Sequence, residues 1–120
     1  MDSSRASGRI VDEEFIELVL SAVEAIPAGR VASYGDIAEL IGRGGPRQVG
    51  WVMSHHGAAV PWWRVVRADG RPADGHETRA LRELLAEGVP LRGERVRMAE
   101  ARMSEDQLGP WRDAAFAPLA

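Results

Sequence analysis

Two adjacent tryptophans lie between a proline and an arginine in the run Val60–Val66 of a chain that contains no cysteine. An indole ring offers a large apolar face for stacking, but it cannot form the thiolate that makes cysteine a nucleophile. The arginine that follows, Arg64, can pair with a carboxylate or a phosphate through its planar guanidinium. The segment therefore has the chemistry of a binding surface and lacks that of a reactive centre.

Catalytic and metal chemistry find little support elsewhere in the chain. His55 and His56 are adjacent and His76 is the only other histidine, so we expect no zinc site. The sequence has no Gly-rich phosphate loop, no Ser-His-Asp arrangement and no paired carboxylates at a convincing spacing. We expect no catalytic residue, no metal and no cofactor. An enzyme that uses Tyr34, Ser54 or a histidine as nucleophile stays an alternative, although no base accompanies any of them.

Charge is distributed unevenly along the chain. The formal net charge is −3, which by itself does not favour nucleic acid, and all 15 cationic side chains are arginines. Within residues 43–71 only Asp69 opposes a group of five arginines, namely Arg43, Arg47, Arg64, Arg67 and Arg71. Such a local basic face favours binding to a phosphate backbone.

The totals indicate one globular domain. Of the 120 residues 45% are hydrophobic and 28% are charged, and a chain of this length can bury a core without disulfides or metal. No apolar run approaches the roughly 18 residues that span a bilayer, so we expect no membrane partner. The segment Met1–Arg9 lacks the apolar centre of a secretory signal. We therefore expect a cytoplasmic protein, associated with the nucleoid if the source is bacterial.

Short helices are predicted around the arginines. The apolar residues of Asp12–Ile26 have helical spacing, and Pro27-Ala28-Gly29 ends that helix. Ser33 and Asp36 predict a capping box at the start of a second helix.

A third helix follows almost at once. Gly42 closes the second helix, and Pro46 suits the first position of another that runs to about Ser54. Two short helices joined by a tight turn that contains glycine are typical of a helix-turn-helix, and the second of them would face DNA.

The rest of the chain predicts smaller elements. We expect a short strand at Arg64–Val66, a turn at Ala68–Gly70, a helix over Glu77–Glu87 and a closing strand at Arg95–Met98. Beyond Met98, Trp111 and Phe116 could tether the tail to the domain. The pairs Gly109-Pro110 and Ala117-Pro118 argue against a long helix there.

Several segments resemble, in order and spacing, the DNA alkyltransferases that repair guanine alkylated at oxygen-6. They span about residues 11–98 and comprise Ile26–Val31, Ser33–Ala38, Pro46–Gly50, Pro61–Val66 and Leu84–Gly88. That family carries Pro-Cys-His-Arg-Val where this chain has Pro-Trp-Trp-Arg-Val. Tryptophan in place of the reactive cysteine, here Trp62, resembles the alkyltransferase-like branch of the family.

The resemblance implies a fold. We expect a mainly α domain with short β-strands, a helix-turn-helix or winged-helix-like DNA-binding domain similar to the C-terminal domain of the alkyltransferases. The expected organisation is a flexible N-terminal lead over residues 1–10, the DNA-binding domain over 11–98 and a C-terminal extension over 99–120, packed on that domain.

The resemblance also implies a mechanism for recognising a damaged base. In the family an arginine at the position of Arg47 fills the stack when a nucleotide is rotated out of the duplex, and a tyrosine at the position of Tyr34 assists that rotation. Trp62 would form a wall of the lesion pocket. Ser33, Pro46 and Gly50 lie in the matched segments and are expected to contact DNA.

Three further positions carry specific expectations. Trp63 replaces the family histidine that relays a proton from the cysteine, and it would widen the apolar wall or pack inside. Arg64 would brace the loop or touch DNA. Glu87 matches the residue that orients that histidine, and with tryptophan at position 63 we expect it to orient nothing and to be structural.

One arginine of the family's tryptophan branch has no counterpart. Gly75 falls at the place of the arginine that covers the pocket, and Arg71 or Arg79 would have to substitute for it.

Two functions remain in competition at this point. The first is a monomeric, non-enzymatic sensor that binds duplex DNA by the minor groove, flips out O(6)-alkylguanine and flags the site for nucleotide excision repair proteins. The second is a helix-turn-helix transcription regulator that binds intact DNA by sequence. A preference for the lesion distinguishes them.

Overall fold

The computed structural model describes residues 11–117, so the lead expected at residues 1–10 lies outside it. Helices dominate the described part and strands are only two residues long, which confirms the predicted fold class. The elements are α1 (Glu13–Glu24), β1 (Ala32–Ser33), α2 (Tyr34–Ile41), α3 (Pro46–His56), β2 (Val65–Val66), α4 (Glu77–Ala86), β3 (Leu91–Arg92), β4 (Arg95–Val96), α5 (Met98–Ala101) and α6 (Glu105–Phe116).

The first helix forms the centre of the larger core. The Asp12 side chain accepts a hydrogen bond from the Phe15 amide at 2.8 Å and caps α1. The buried residues recur with helical spacing along one face: Phe15, Val19, Ala22 and Val23. That face packs against α2, α3 and α6. The predicted helix is confirmed, although it ends at Glu24, before Ile26.

The helix-turn-helix is confirmed as α2 and α3. The Asp36 amide donates to Ser33 Oγ at 3.0 Å and the Ser33 amide donates to Asp36 Oδ2 at 3.0 Å, which completes the predicted capping box. Gly42 ends α2 in the left-handed region at φ 84°. Pro46 occupies the first turn of α3, which continues to His56, beyond the predicted end at Ser54.

Two strand pairs connect the helices to the rest of the fold. β1 and β2 pair in parallel, with Ala32 opposite Val65 and Ser33 opposite Val66. β3 and β4 form an antiparallel hairpin, the wing of the fold. The strand predicted at Arg64–Val66 is shorter by one residue, because Arg64 lies in a 3-10 turn over Trp62–Arg64.

The closing strand is also shorter than predicted. It ends at Val96, and Met98 begins α5 instead of extending the strand. The predicted turn at Ala68–Gly70 docks on this strand, since the Val96 amide donates to the Gly70 carbonyl at 2.8 Å. Gly70 has φ 90°, and a Cβ there would collide with the Val96 carbonyl oxygen, so only glycine fits.

The prediction that Gly109-Pro110 precludes a long C-terminal helix is wrong. α6 runs from Glu105 to Phe116 and contains Pro110. A proline inside a helix costs about 3 kcal/mol, and burial of Trp111 and Ala115 against α1 offsets that cost. The Trp111 indole N–H also donates to the Ala22 carbonyl at 2.8 Å, in the last turn of α1, where carbonyls lack intrahelical partners.

A smaller core lies under the wing, separate from the helical one. It consists of Val31, Val66, Leu84, Val89, Val96 and Ala101. Trp63 packs against it and is half-buried. The division of the chain at residue 98 into domain and extension stays a prediction. No helix within residues 11–117 is long and apolar enough to cross a membrane.

Candidate lesion-binding site

A tight turn presents Trp62. The Trp62 amide donates to the Val60 carbonyl at 2.6 Å, and Pro61 between them has φ −72° and ψ 71°. These are the angles of an inverse γ-turn. Proline suits the centre of this turn because its ring fixes φ near this value and its missing N–H leaves no donor unsatisfied. The chain therefore reverses sharply just before Trp62 and leaves the indole partly exposed.

Three side chains surround the Trp62 indole. Trp63 meets it edge-on, with ring centroids 5.8 Å apart and an interplanar angle of 82°. His76 approaches at 5.7 Å and 62°, and the Arg79 guanidinium lies 5.6 Å from the ring centroid. At this distance a cation is attracted to an aromatic face. Of the two arginines considered as substitutes at the pocket, Arg79 lies at Trp62, whereas Arg71 pairs with Asp69 at 3.5 Å.

Glu87 holds the segment that contains the two tryptophans. Its carboxylate accepts from the Trp63 indole at 2.9 Å, from Arg64 Nη2 at 2.7 Å and from the Gly29 amide at 3.2 Å. Arg64 also donates to the Ile26 carbonyl at 2.8 Å. We call Glu87, Trp63, Arg64 and Gly29 the Glu87 cluster.

These contacts overturn the expectation that Glu87 orients nothing. The resemblance implies a histidine ring nitrogen at this place in the family. Here the indole N–H of Trp63 donates to Glu87 instead, so the carboxylate keeps a hydrogen-bond partner although tryptophan replaces histidine. Glu87 is structural, as predicted, but it acts by fixing the Trp63 ring. The side chain of Arg64 is only 16% exposed. Its contacts with Glu87 and the Ile26 carbonyl are those of a residue that braces the loop, which is one of the two roles that the sequence left open.

The pKa of Glu87 reflects this arrangement. Burial raises the pKa of the carboxyl, but hydrogen bonds from Arg64, Trp63 and the Gly29 amide outweigh burial and bring the pKa below its usual value. The carboxylate is therefore ionised at neutral pH and accepts all its hydrogen bonds in that form.

The arginines of the basic segment are less free than the sequence indicated. Four of the five form ion pairs with acids, most of which lie far away in the chain: Arg43 with Asp12 and Glu14, Arg64 with Glu87, Arg67 with Asp74, and Arg71 with Asp69. Asp69 is the only acid within residues 43–71, but acids outside that segment also pair with these arginines. The Arg47 side chain is exposed in the first turn of α3, and within residues 11–117 it makes no hydrogen bond or ion pair.

Tyr34 lies between α3 and the loop that follows β2. A Cβ placed on Gly50 would be 4.0 Å from the Tyr34 ring, an ordinary contact, so packing does not demand glycine there. Burial raises the pKa of Tyr34, the Asp74 charge raises it further, and Arg67 partly opposes them. The phenol therefore stays protonated at neutral pH and can donate a hydrogen bond.

Ser33 and Pro46 have structural tasks of their own. Ser33 is buried and its hydroxyl caps α2, while Pro46 begins α3 at an exposed position. Their contact with DNA stays a prediction, as do the DNA-binding roles of Tyr34, Arg47 and Gly50.

Two residues with exposed or partly exposed rings were not predicted to take part in binding. His76 was considered only as a metal ligand, and it instead lies against Trp62. Trp51 was not considered, although it is exposed on α3 and follows Arg47 by four residues. That spacing puts both on one helix face and was visible in the sequence.

The comparisons with known proteins agree on one family. The model described as "6-O-methylguanine DNA methyltransferase, DNA binding domain" matches residues 14–89. A DNA base-flipping protein of Escherichia coli (strain K12) is 40% identical over 87 residues, which are 68% of this chain and 67% of that protein. Alkyltransferase-like protein 1 of Schizosaccharomyces pombe is 40% identical over 86 residues, 66% of this chain and 80% of that protein.

The fold agrees with solved structures as well. The crystal structure of S. pombe Atl1 in complex with damaged DNA containing O6-carboxymethylguanine superimposes with a TM-score of 0.68 at 31% identity. The match covers 78% of this chain and 97% of that one. A second S. pombe ATL structure in complex with DNA gives a TM-score of 0.66 at 30% identity over the same shares of the two chains.

Replacing Glu87 tests the cluster. Because the folded pKa is lowered, the carboxylate contributes stability above its unfolded pKa of about 4.5, and that contribution is lost as pH falls through the folded value. We expect Glu87→Gln to lower the free energy of unfolding by about 1–3 kcal/mol at pH 7 and to flatten its fall below about pH 4. Urea unfolding between pH 7 and pH 3 measures both effects. Glu94→Gln, an exposed site, is the matched control; equal stability of the two variants at pH 7 would contradict the role of Glu87.

Proposed function

The chain belongs to the family of the 6-O-methylguanine DNA methyltransferase DNA-binding domain, and on this premise we propose that it is a non-enzymatic sensor of O(6)-alkylguanine in duplex DNA. The observation that carries the proposal is the half-exposed Trp62, held by a tight turn beside Trp63, His76 and Arg79. It stands where the resembled enzymes have their reactive cysteine.

The absence of cysteine supports a protein that binds without reacting. Alkyl transfer in the resembled enzymes ends with the alkyl group on a thiolate, and this chain has no cysteine to receive it. The ring nitrogen of Trp63 is only a donor, and it donates to Glu87, so this side chain offers no proton acceptor beside Trp62. What remains is an aromatic surface with a cation over it, suited to holding a flat base.

Flipping a nucleotide out of the duplex costs a few kcal/mol in lost pairing and stacking. Arg47 is placed to offset part of that cost, because its guanidinium is exposed, unpaired within the described residues and carried by the first turn of α3. Tyr34 lies close to α3 and keeps its phenolic proton. The relatives named for base flipping and for binding damaged DNA support this assignment of roles.

A sensor without chemistry is useful only if other proteins act on its complex. The proposal therefore includes hand-off of the bound lesion to nucleotide excision repair, by a monomer in the cytoplasm or at the nucleoid. The transcription regulator is the competing function, and it would ignore an alkylated guanine.

The proposal is tested with two duplexes of one sequence that differ only in a single O(6)-methylguanine. We expect tighter binding to the modified duplex at one stated salt concentration, with the methyl group still on the DNA afterwards. Fluorescence anisotropy gives the two dissociation constants and mass spectrometry of the recovered DNA follows the methyl group. Equal binding would favour the regulator, and loss of the methyl group would reveal an enzyme.

Removing the Trp62 ring tests the pocket. We expect Trp62→Ala to lower affinity for the modified duplex about tenfold or more, because a base loses its stacking partner, and to leave affinity for the unmodified duplex within about twofold. Trp62→Phe keeps an aromatic face and should retain part of the preference. A preference that survives in Trp62→Ala would place the lesion elsewhere on the protein.

Removing Arg47 tests the filling of the stack. We expect Arg47→Ala to weaken binding to the modified duplex about tenfold or more and to reduce the preference, because the extruded base leaves an unfilled gap. Arg112→Ala, on the exposed side of α6, removes the same charge as a matched control. If both variants lose affinity for the two duplexes by one common factor, Arg47 acts through its charge alone and the insertion role is wrong.

A further inference from the structure

A second aromatic surface lies on α3, apart from the pocket around Trp62. Trp51 is 43% exposed, and its ring stacks on that of His55 with centroids 4.1 Å apart and an interplanar angle of 18°. His56 approaches the same indole at 5.9 Å. We call Trp51 and His55 the stacked pair.

The stacked pair lies on the face of α3 that points away from the core. Val49 and Val52 are buried on the opposite side, so the solvent face carries Arg47, Trp51 and His55 at intervals of four residues. With a rise of 1.5 Å per residue, this face extends about 12 Å from Arg47 to His55. That is the length of roughly three to four base pairs along a duplex.

Hydrogen bonds hold the pair in one orientation. His55 Nδ1 lies 2.8 Å from the Trp51 carbonyl oxygen and 3.0 Å from Ser54 Oγ, and the Ser54 hydroxyl also donates to that carbonyl. A carbonyl can only accept, so Nδ1 must carry the proton. The Nε2 atom of this exposed ring faces outward, and it donates a hydrogen bond when the ring is an imidazolium.

The charge of α3 suits a nucleic acid. None of its eleven residues is acidic, its positive dipole end lies near Arg47, and two histidines lie in its last turn. A phosphate along this face would meet no carboxylate of the helix. The exposed indole offers an apolar face to a sugar or a base, and the histidine offers a polar edge to a phosphate.

We propose that the stacked pair is a second DNA contact, which binds the sugar–phosphate backbone beside the lesion. This contact does not depend on which base occupies the pocket. The inference rests on the proposed function in one respect, that α3 faces the DNA. Trp51 packs against deoxyribose, and the His55 ring, protonated on both nitrogens in the complex, donates from Nε2 to a phosphate oxygen. Arg47 and Trp62 provide the discrimination, whereas the stacked pair adds affinity for damaged and undamaged duplex alike.

Dissociation constants of Trp51→Ala for the two matched duplexes test the proposal. We expect affinity to fall by one common factor, roughly tenfold, for both duplexes, so that their ratio is unchanged. Trp51→Phe should recover much of the loss, and His55→Phe, which keeps a ring but no polar edge, should lose part. Leu85→Ala, at a large apolar residue 69% exposed on α4, is the control and should bind like the unaltered protein.

The outcomes separate this proposal from the proposed function. Unchanged binding of Trp51→Ala to both duplexes overturns the stacked pair as a contact, and a loss confined to the modified duplex assigns Trp51 to the pocket and overturns it as a general contact. If the unaltered protein shows no lesion preference but Trp51→Ala still weakens binding to undamaged DNA, the stacked pair stands and the sensor function falls. Thermal unfolding of each variant separates lost binding from lost folding.

A second readout follows the indole itself. Indole N–H signals in ¹H–¹⁵N spectra are assigned by comparison with Trp51→Ala, and unmodified duplex is then added. We expect the Trp51 signal to shift on addition of undamaged DNA. A Trp51 signal that stays in place while DNA binds would show that α3 does not carry the contact.

Discussion

The carboxylate of Glu87 is the interaction on which the site depends. It accepts hydrogen bonds from two separate parts of the chain, the Gly29 turn and the Trp63–Arg64 segment, and it lies at the end of α4. With 14% of the side chain exposed, burial of the carboxylate is costly, and hydrogen bonds from Arg64, Trp63 and Gly29 outweigh that cost. The same cluster thereby joins the helical core to the small core under the wing and fixes where Trp62 emerges.

Local signals in the sequence were enough for the helix-turn-helix. The Ser33–Asp36 capping box, the left-handed Gly42 and Pro46 at the start of α3 all act within one turn of helix, so their consequences can be read from adjacent residues. The γ-turn at Pro61 also depends on neighbours, but the direction in which it presents Trp62 depends on the distant Glu87.

The features that could not be predicted depend on contacts between residues that are far apart in the sequence. Gly109-Pro110 disfavours a helix locally, and only the burial of Trp111 against α1 overrides it. The ion pairs of Arg43 could not be predicted for the same reason, because its partners Asp12 and Glu14 lie about 30 residues earlier in the chain. Replacement of the relay histidine by Trp63 suggested a lost hydrogen bond, whereas the indole supplies a donor in its place. The resemblance located the candidate residues, but their mutual geometry depends on contacts between distant parts of the chain.

The pairing of the arginines has a consequence for how such a protein would search a genome. Four of the five cations in the basic segment are already neutralised within the fold, so few are left to displace counterions from a random stretch of duplex. Weak binding to undamaged DNA is an advantage to a protein that binds rare sites. Undamaged DNA is in large excess over such sites and competes with them for every protein molecule. On the proposed function, a surface with few unpaired arginines limits charge-driven binding to undamaged duplex, and selectivity comes from contacts that only the modified base completes.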